Sequence, residues 1–409
     1  MPLASNNTPE DYNDLVEKIR DWAKQLGFSQ LGICDVDLSK HEAYLKNWLA
    51  NNYHGDMDYM QRHGLMRARP EELVPGSIRA ISVRLDYLPN EAKFASTLKN
   101  TSNAYISRYA LGRDYHKLMR KRLQQLANKI SEHCESLNFR ALVDSAPILE
   151  RPLAEKAGLG WVGKHSLLIN KEAGSWFFIG ELLIDLPLPL SDNSLASSAI
   201  ADKALTNKAL TNKTTDNHCG DCVACINICP TKAIVEPYVV DARRCISYFT
   251  IESSAAIPVE LRSLMGNRIY GCDDCQLICP WNRYASLSLE EDFQQRNNLH
   301  EISLIELFNW DEETFLNRFL GSAIRRIGYQ NWQRNIAVAL GNAPFEQLIV
   351  DNLNHKLVDA SELLSEHITW AIEQQINKKI SEENQSNNDS TKLTLKLIRA
   401  IDKSLPRDA

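Results

Sequence analysis

The sequence lacks any apolar run that approaches the length of a membrane span, and its first residues show neither the basic start nor the apolar stretch of a signal peptide. We therefore expect a soluble, cytoplasmic protein with no membrane partner. A large excess of one charge is also missing, because the 409 residues carry a formal net charge of only -6. This small charge gives no general sign of nucleic-acid binding, but a local basic surface is compatible with it.

Cysteine, in contrast, is concentrated, since eight of the ten cysteines lie between positions 219 and 279. The run Cys219–Pro230 has the spacing C-x2-C-x2-C-x3-C-P of bacterial two-cluster ferredoxins. The run Cys272–Pro280 has the same ending, with its first cysteine moved upstream to Cys245. In such pairs three thiolates bind one cube and the fourth cysteine of the run binds the other. The spacing predicts two 4Fe-4S clusters, the first bound by Cys219, Cys222, Cys225 and Cys279 and the second by Cys229, Cys245, Cys272 and Cys275.

Structural zinc is the alternative, because C-x2-C also suits a tetrahedral zinc site. Zinc requires neither a third cysteine three positions on nor a Cys-Pro ending, so the pattern favours iron–sulfur clusters and the transfer of single electrons. Reduced thiols also belong in the cytoplasm, where a cysteine-rich sequence indicates metal binding. Cys34, at the end of an apolar strand, and Cys134, on the apolar face of a helix, are expected to be core thiols.

The N-terminal part predicts a mixed α/β sheet domain over residues 1–190. Its first helix is signalled by Thr8 as a cap and Pro9 at the first helical position. Further helices are expected near residues 38–52 and 114–138, and strands near residues 28–34, 79–87, 139–144 and 176–185. Residues 191–217 are rich in small and polar residues and contain a tandem repeat, so we expect a flexible insertion there.

The rest of the chain divides into a bacterial-ferredoxin-like two-cluster domain over residues 218–302 and a helical region over residues 303–409. Ser303 and Glu306 fit a capping box at the start of the helical region. Short amphipathic helices are expected near residues 312–320, 330–341, 344–353 and 359–379, with a last helix after a polar stretch at 381–391. Turns between them favour antiparallel helix pairs that resemble HEAT repeats.

One carboxylate outside the cysteine region, Asp144, directly follows a predicted strand, where open α/β sheets place ligand-binding groups. On the residues alone, a turn or cap residue is the stronger interpretation. Three glycines in residues 158–163 permit close approach to a ligand, but they do not form G-x-G-x-x-G before a helix, so a dinucleotide site is only weakly indicated. Residues 107–116 mix cationic and aromatic groups, which suits either an anion or flat cofactor, or a solvated helix start.

Together these segments resemble the epoxyqueuosine reductase family, oxidoreductases of tRNA processing that act in the last step of queuosine biosynthesis. The matching stretches are spread over nearly the whole chain: Ile106–His116, Asp144–Ser166, both cysteine runs, Cys245–Glu252 and Arg334–Asn342. The insertion at 191–217 is longer than the family leads us to expect. Because it precedes the first cysteine run, it puts little of the resemblance in doubt.

The resemblance implies a cobalamin cofactor, which the spacing of residues alone does not show. Residues 114–116 and 216–218 begin like the D-x-H-x-x-G motif of some cobalamin proteins, but both lack its glycine. This is consistent with the base-off cobalamin of the family, which takes no histidine from the protein. The cofactor contacts that the resemblance implies are Arg67, Arg108, Asp144, Lys164, Ser166 and Ser175.

The same resemblance assigns a catalytic role to Asp144. Converting an epoxide to an alkene takes two electrons and two protons, and Asp144 would be the proton donor to the departing oxygen. An ordinary aspartate has a pKa of about 3.9 and is almost wholly ionised at neutral pH. Burial can raise a carboxyl pKa by up to ~3–5 units, so we expect a partly dry pocket around Asp144.

The expected partners are the tRNA anticodon loop carrying epoxyqueuosine and a low-potential electron donor such as ferredoxin or flavodoxin, and we expect a monomer. Unstacked bases of such a loop can be extruded and recognised. Three arginines in the tail are candidates for phosphate contacts, with intramolecular ion pairs as the equal alternative: Arg325, Arg326 and Arg334. Two other functions stay open, an electron-transfer protein and a corrinoid reductase of small molecules, although the latter usually carry a twin-arginine signal that is absent here.

Overall fold

The structure, a computed structural model, describes residues 9–191, 218–381 and 389–405. The predicted cap Thr8 and nearly all of the predicted insertion at 191–217 lie outside the described residues. The first helix begins at Pro9, as predicted. Within the described residues, no helix is both long enough and apolar enough to cross a membrane.

The helices and strands follow the predicted order. The α-helices are α1 (Pro9–Gln25), α2 (Ser39–Ala50), α3 (Asp58–His63), α4 (Pro70–Leu73), α5 (Phe94–Lys99), α6 (Tyr115–Ser131), α7 (Glu150–Lys156), α8 (Ala224–Ile228), α9 (Val259–Arg262), α10 (Asp274–Leu277), α11 (Leu304–Phe308), α12 (Glu312–Arg318), α13 (Gly328–Asn342), α14 (Gln347–Leu357), α15 (Glu362–Ser381) and α16 (Asp389–Ser404). The strands are β1 (Gln30–Asp35), β2 (Arg79–Asp86), β3 (Tyr105–Ile106), β4 (Phe139–Leu142), β5 (Trp161–Val162), β6 (Leu168–Ile169), β7 (Phe177–Ile184), β8 (Ile234–Glu236), β9 (Val239–Val240) and β10 (Arg268–Tyr270). A π-helical turn spans Tyr248–Glu252.

The chain forms two compact units, and neither is continuous in sequence. Unit 1 draws on residues up to Asn51, on Tyr59–Asp86 and on His116–Cys222. Unit 2 draws on residues 52–58 and 87–115 and on the chain from Val223 onward. The expected boundaries near residues 190 and 302 differ from the limits of these units, because the chain from Val223 onward belongs to one unit together with residues 87–115, while residues up to Cys222 belong to the other.

Unit 1 is built on a four-stranded sheet in the order β1-β2-β7-β4. Every pair in it is antiparallel, with Arg79 opposite both Asp35 and Ile184, and Phe139 opposite Ile184. The rule that ligands bind at the carboxyl ends of strands concerns parallel sheets, so it does not account for the position of Asp144 in this antiparallel one. Asp144 nevertheless follows β4 closely, as expected.

Helix α7 is fixed against this sheet. Gly32 in β1 has no side chain, and a Cβ there would lie 1.9 Å from the Ala157 carbonyl oxygen just after α7. Leu153 and Ala154 of α7 are buried in the same apolar cluster as Leu183 of β7. This close packing gives the first residue of α7 a fixed position, which matters for the site below.

Unit 2 has one large apolar core that joins distant segments of the chain. It includes Ile106 from β3, Phe249 from the π-helical turn, Ile269 from β10 and Trp332 from α13. Helix α13 is buried from Trp332 to Gly341, including the polar residues Gln333, Arg334 and Asn335. The predicted capping box is confirmed in its first half, because the Ser303 hydroxyl accepts the Glu306 N–H at 3.1 Å at the start of α11.

Candidate functional site

The second cysteine run is held by a buried carboxylate that the sequence did not single out. In the turn Cys272–Cys275, Asp273 is only 3% exposed. It accepts hydrogen bonds from the Tyr105 hydroxyl at 2.9 Å, the Ser107 hydroxyl at 2.5 Å and the Arg108 N–H at 3.1 Å. The start of the segment 107–116, which suited an anion or a flat cofactor, therefore helps to anchor the turn between two predicted cluster ligands.

The next carboxylate, Asp274, forms a buried ion pair with Arg268. Arg268 Nε and Nη2 donate to the two Asp274 oxygens at 2.8 and 2.9 Å, a two-point contact with fixed geometry. Asp274 is the first residue of α10, which also carries Cys275. The ion pair therefore fixes the position of this cysteine.

The four cysteines predicted to bind the second cluster belong to unit 2. Burial raises the pKa of the Cys275 thiol, and electrostatic repulsion from Cys245, Cys229 and Cys225 adds to this rise. Cys272 lies in the same turn as Cys275, and the Ala233 N–H donates to Cys229 Sγ at 3.2 Å. Crowded thiols become thiolates where a metal compensates their charge, so this all-cysteine set fits an iron–sulfur cluster.

The first two cysteines of the other set belong to unit 1. The Cys222 N–H donates to the Cys219 carbonyl oxygen at 2.9 Å, which closes the loop between them. Lys164 is 8% exposed, and its Nζ donates to the carbonyl oxygens of Gly220 at 2.6 Å and Cys222 at 3.0 Å. In this structure Lys164, expected at the cobalamin, thus supports the backbone of the first cysteine motif.

The other two predicted ligands of the first cluster, Cys225 and Cys279, are buried and belong to unit 2. Cys34 and Cys134 are buried as well, which confirms their assignment to the core. In the part of the chain that the structure describes, no three His, Cys, Asp or Glu side chains converge as ligands of a single metal ion.

Arg334 was expected to contact tRNA phosphates, and the structure corrects this prediction. Its side chain lies on α13 and is 0% exposed. Nη1 donates to the carbonyl oxygens of Ser253 at 2.9 Å and Ala255 at 2.7 Å, and Nη2 donates to that of Phe249 at 2.5 Å. The guanidinium is therefore enclosed and occupied by the backbone in and after the turn Tyr248–Glu252, where no phosphate can reach it.

Asn335 extends this scaffold. Its Nδ2 donates to the carbonyl oxygens of Thr250 at 3.0 Å and Ile269 at 2.9 Å. Thr250 belongs to the π-helical turn that follows Cys245, and Ile269 lies in β10 shortly before Cys272. The Arg-Asn motif therefore supports the backbone next to two predicted ligands of the second cluster.

The two remaining arginines of the tail differ from Arg334. Arg325 is exposed. Arg326 is 52% exposed and forms an ion pair with Asp114, which is the intramolecular alternative considered above. Both side chains lie at the surface, so a phosphate contact stays a prediction for these two residues.

Asp144 lies on the loop after β4 with a left-handed backbone, at φ 49°. Such a conformation is uncommon for a residue other than glycine, although aspartate tolerates it better than most. Asp144 Oδ2 lies 3.0 Å from Nε2 of His116, a buried residue of α6. The Asp144 side chain itself is 60% exposed, so the partly dry surroundings expected for it are not present in the protein alone.

A second carboxyl group, Glu150, contacts the same loop. It is the first residue of α7, and its Oε1 accepts the Asp144 main-chain N–H at 2.5 Å. Burial, followed by the charge of Asp144, raises the pKa of Glu150 to about 8. Glu150 therefore carries a proton in most molecules at neutral pH.

Arg67 and His165 of unit 1 each have a buried nitrogen atom without a hydrogen-bond partner among the described residues. Arg67 is 6% exposed; its Nη2 donates to the Tyr59 carbonyl oxygen at 2.9 Å, but its Nε has no hydrogen-bond partner among the described residues. His165 is 5% exposed, and burial lowers its pKa to about 4, so the ring is neutral. Its Nδ1 accepts the Leu167 N–H at 3.1 Å, so Nε2 carries the proton, again with no partner in the described chain. Buried donors of this kind fit a ligand rich in acceptors, such as the amide groups of a corrin.

The other implied cofactor contacts fall into two groups. Ser166 has a left-handed backbone at φ 68°, its carbonyl oxygen accepts from Arg151, and Ser175 is 5% exposed. Arg108, however, is 1% exposed, between the rings of Phe94 at 4.6 Å and Tyr105 at 4.3 Å. Arg108 is thus enclosed in unit 2, its Nε also lacks a hydrogen-bond partner among the described residues, and its cofactor contact stays a prediction.

Two family models match the chain. One, described as epoxyqueuosine reductase QueG, DUF1730, matches residues 67–145. The other, described as a 4Fe-4S double cluster binding domain, matches residues 218–282 and so includes all eight clustered cysteines. This second match decides between the two metal interpretations in favour of two iron–sulfur clusters.

Curated relatives match the chain along nearly its full length. The epoxyqueuosine reductase of Escherichia coli (strain K12) is 58% identical over 405 residues, which cover 98% of this chain and 99% of the relative. That of Vibrio cholerae is 55% identical over 399 residues, covering 98% of this chain and all of the relative.

Solved structures share the fold. A crystal structure of epoxyqueuosine reductase with an epoxyqueuosine-modified tRNA-Tyr stem loop superposes with a TM-score of 0.74 at 22% identity, covering 96% of this chain and 100% of that one. A structure of the Bacillus subtilis enzyme, whose catalytic aspartate loop is swung out of the active site, also gives a TM-score of 0.74 at 22% identity, covering 95% of this chain and all of that one.

Replacing Arg334 with Met should destabilise unit 2 and lower its iron content. Met keeps the apolar length of the side chain but leaves the carbonyl oxygens of Phe249, Ser253 and Ala255 without these donors. Each buried carbonyl group left unpaired costs about 1–3 kcal/mol of folding free energy. We expect the free energy of unfolding to fall by about 3 kcal/mol or more, measured by denaturant unfolding beside iron per chain. The matched Arg325→Met, at an exposed position, should change neither value. Native stability and full iron in Arg334→Met would contradict the scaffold.

Proposed function

The chain belongs to the epoxyqueuosine reductase family, and we propose that it reduces epoxyqueuosine to queuosine at the wobble position of tRNA, the last step of queuosine biosynthesis. The observation that carries this proposal is the 58% identity to the Escherichia coli enzyme over 98% of the chain. The match to a double-cluster domain adds the expected route for electrons. A plain electron carrier would not account for unit 1, which positions Asp144, His116 and Glu150 around one loop.

The reaction removes the epoxide oxygen as water and leaves an alkene, which consumes two electrons and two protons. The iron–sulfur clusters deliver electrons one at a time. A base-off cobalamin, when bound, would allow these single electrons to be used as a pair on one carbon–oxygen bond. The protein has to bind this cofactor, exclude water around it and supply a proton to the oxygen.

We assign the cluster ligands as the cysteine spacing predicts. The second cluster would be held by Cys229, Cys245, Cys272 and Cys275, which all belong to unit 2. The first would be held by Cys219, Cys222, Cys225 and Cys279, on the two-cluster ferredoxin spacing alone.

For the cobalamin we retain the unit 1 residues that the resemblance implies, Arg67, Lys164, Ser166 and Ser175. Arg67 and His165, which lies between Lys164 and Ser166 in the sequence, support this site because each has a buried donor without a partner in the described chain. Lys164 would act through the first cysteine loop, whose carbonyl oxygens it binds. An acceptor-rich ligand would satisfy these donors and so reduce the cost of their burial.

Asp144 is the proton donor in this proposal. Its Oδ2 lies beside His116 Nε2, which holds the carboxyl in one orientation, and its exposure leaves the carboxyl within reach of a ligand. In the Bacillus subtilis enzyme a catalytic aspartate lies on a loop that can swing out of the active site, which supports a loop aspartate in this role. A substrate that covers the exposed Asp144 would remove water from the carboxyl and favour its protonated form.

We propose that the helices after Ser303 form HEAT-like antiparallel pairs and that their surface helps to bind the anticodon stem loop. In support, α13 packs against both α11 and α15. A related enzyme has been crystallised with an epoxyqueuosine-modified stem loop. Arg325 and Arg326 remain candidates for phosphate contacts, with Arg326 having to leave Asp114.

The electron donor would be a low-potential protein such as ferredoxin or flavodoxin. Two exposed cationic residues lie close in sequence to cysteines proposed for the second cluster. Lys232 lies three positions after Cys229, and Arg244 directly precedes Cys245. Arg244 Nε donates to the Thr231 carbonyl oxygen at 3.0 Å, which keeps this side chain beside the Cys229 loop. A basic surface here suits an acidic donor, because charge complementarity accelerates encounter.

Asp144→Asn tests both the reaction and the acid. Asparagine keeps the shape of the side chain but removes the transferable proton. With cobalamin, a reductant and epoxyqueuosine-containing tRNA under anaerobic conditions, we expect wild type to form queuosine and Asp144→Asn to lose at least about 100-fold in rate. Nucleoside analysis measures this, and iron content, cobalamin binding and tRNA affinity serve as controls. Turnover of the variant within a few-fold of wild type would reduce Asp144 to a turn residue.

In the proposed assignment, the last cysteine of each run binds the cluster of the other run. Cys279→Ala should therefore damage the same cluster as Cys219→Ala. The crossed pattern requires this, because the fourth cysteine of each run binds the other cube. Iron content and the paramagnetic resonance spectrum of each single variant, purified anaerobically, would measure it. If Cys279→Ala instead matched Cys272→Ala, the assignment of the ligands would be wrong.

If Arg325 and Arg326 contact phosphates, they should contribute to the salt dependence of tRNA binding. Each change to Ala should weaken binding and lower the slope of log affinity against log salt by about 0.7–0.9 for each lost phosphate contact. Arg20→Ala is the matched control, because Arg20 is also a surface arginine near an acidic residue, 44% exposed with Glu17 at 3.8 Å. The measurement is the affinity of each variant for the stem loop at several salt concentrations. Unchanged slopes for both tail variants would show that Arg325 and Arg326 do not contact phosphates.

A further inference from the structure

The Asp144 loop is held from two directions. Its side chain contacts His116 of α6, and its main-chain N–H donates to Glu150 at the start of α7. Both contacts come from helices of unit 1, and α7 is fixed by the close approach of Ala157 to Gly32. The Glu150 contact acts on the backbone of Asp144.

This backbone contact matters because Asp144 is left-handed, at φ 49°. A residue with a side chain leaves this region when nothing holds it, since extended and right-handed conformations are of lower energy. A change of φ at Asp144 would turn its carboxyl away from His116. The hydrogen bond to Glu150 Oε1, at 2.5 Å, opposes that change directly.

The chemistry of Glu150 suits such a holding role. Its raised pKa, about 8 through burial and then through the charge of Asp144, leaves it mostly uncharged at neutral pH. An uncharged Glu150 avoids repulsion between two carboxylates while still offering an oxygen to the Asp144 N–H. Glu155, on the same helix, offers a comparison, because its Oε1 accepts the Val162 N–H at 2.8 Å.

We propose that Glu150 is a positioning residue that holds the Asp144 loop closed, so that the Asp144 carboxyl stays on His116 in the orientation required for proton transfer. This inference rests on the proposed function, in which Asp144 is the acid. In this role Glu150 contributes an acceptor oxygen at a fixed distance. It does not donate a proton to the substrate.

Three substitutions separate a holding role from an acid role. Glu150→Gln keeps a carbonyl oxygen at the same reach and removes the proton. Glu150→Asp keeps a carboxyl group but is one methylene shorter, and Glu150→Ala removes the acceptor. A holding role predicts that Gln retains function while Asp and Ala lose it, and an acid role predicts that Gln is as damaged as Ala.

The first readout is independent of the reaction. Hydrogen–deuterium exchange of the peptide 143–149, measured in the purified holoenzyme without tRNA, should be at least about tenfold faster at the Asp144 amide in Glu150→Ala and Glu150→Asp, and near wild type in Glu150→Gln. Glu155→Ala is the control. It should expose the Val162 amide to exchange and leave 143–149 unchanged.

The second readout is the single-turnover rate on bound epoxyqueuosine-containing tRNA. We expect a loss of about 10- to 100-fold in Glu150→Ala and Glu150→Asp, a change within about threefold in Glu150→Gln, and tRNA affinity and iron content within about twofold of wild type in all three. A near-wild-type turnover rate in Glu150→Gln, together with slow hydrogen exchange at its Asp144 amide, supports the holding role. A lost turnover rate in Glu150→Gln overturns it. Wild-type hydrogen exchange and turnover in Glu150→Ala overturn it as well.

These outcomes remain distinct from failure of the proposed function. If the wild-type protein forms no queuosine, or if Asp144→Asn remains active, the proposed function or its acid is wrong whatever Glu150 does. If wild type is active and Asp144→Asn is inactive, only the Glu150 variants decide, and the exchange data reveal a variant that fails merely because it does not fold.

Discussion

The buried guanidinium of Arg334 is the interaction on which the cysteine region depends. Backbone that bends around metal ligands cannot pair its own carbonyl groups regularly, and each buried group left unpaired costs about 1–3 kcal/mol. Arg334 provides donors to three such carbonyl groups, and Asn335 to two more. Because these side chains come from α13, the helical region and the segments that carry Cys245 and Cys272 have to fold around one core. This accounts for their place in a single compact unit.

The same principle acts in unit 1 on loops that have to stay accessible. Lys164 binds two carbonyl oxygens of the Cys219–Cys222 loop, and Glu150 binds the Asp144 N–H. Asp144 stays 60% exposed, whereas Arg334 is wholly enclosed. In the proposed function the Asp144 loop meets a substrate and cannot be enclosed in this way, so a few side-chain contacts would supply the order that a core provides elsewhere.

The parts of the fold that depend on local pattern could be predicted, and those that depend on distant contacts could not. Apolar strands and amphipathic helices appear where expected, and the cysteine spacing is equally local, but the antiparallel order of the sheet is not written in any one segment. Arg334 and Arg325 are the same residue type, so residue type alone could not separate the buried one from the exposed one. Only the apolar residues on several faces of α13 indicated that most of this helix is buried. Glu150 looked like an ordinary acid in a first helical turn. Its contact follows from the left-handed Asp144, which no residue type announces.

Glu150 and Glu181 of unit 1 both have a raised pKa, and Glu150 contacts the Asp144 loop. Burial raises the pKa of Glu150 to about 8 and that of Glu181, which is 0% exposed, well above the ordinary range. The charge of Asp144 adds to the rise at Glu150, and Glu150 adds to the rise at Glu181. In the proposed function, a substrate that covers the exposed Asp144 carboxyl would remove water from it. Binding of substrate would then favour the protonated carboxyl that the proposed acid role of Asp144 requires.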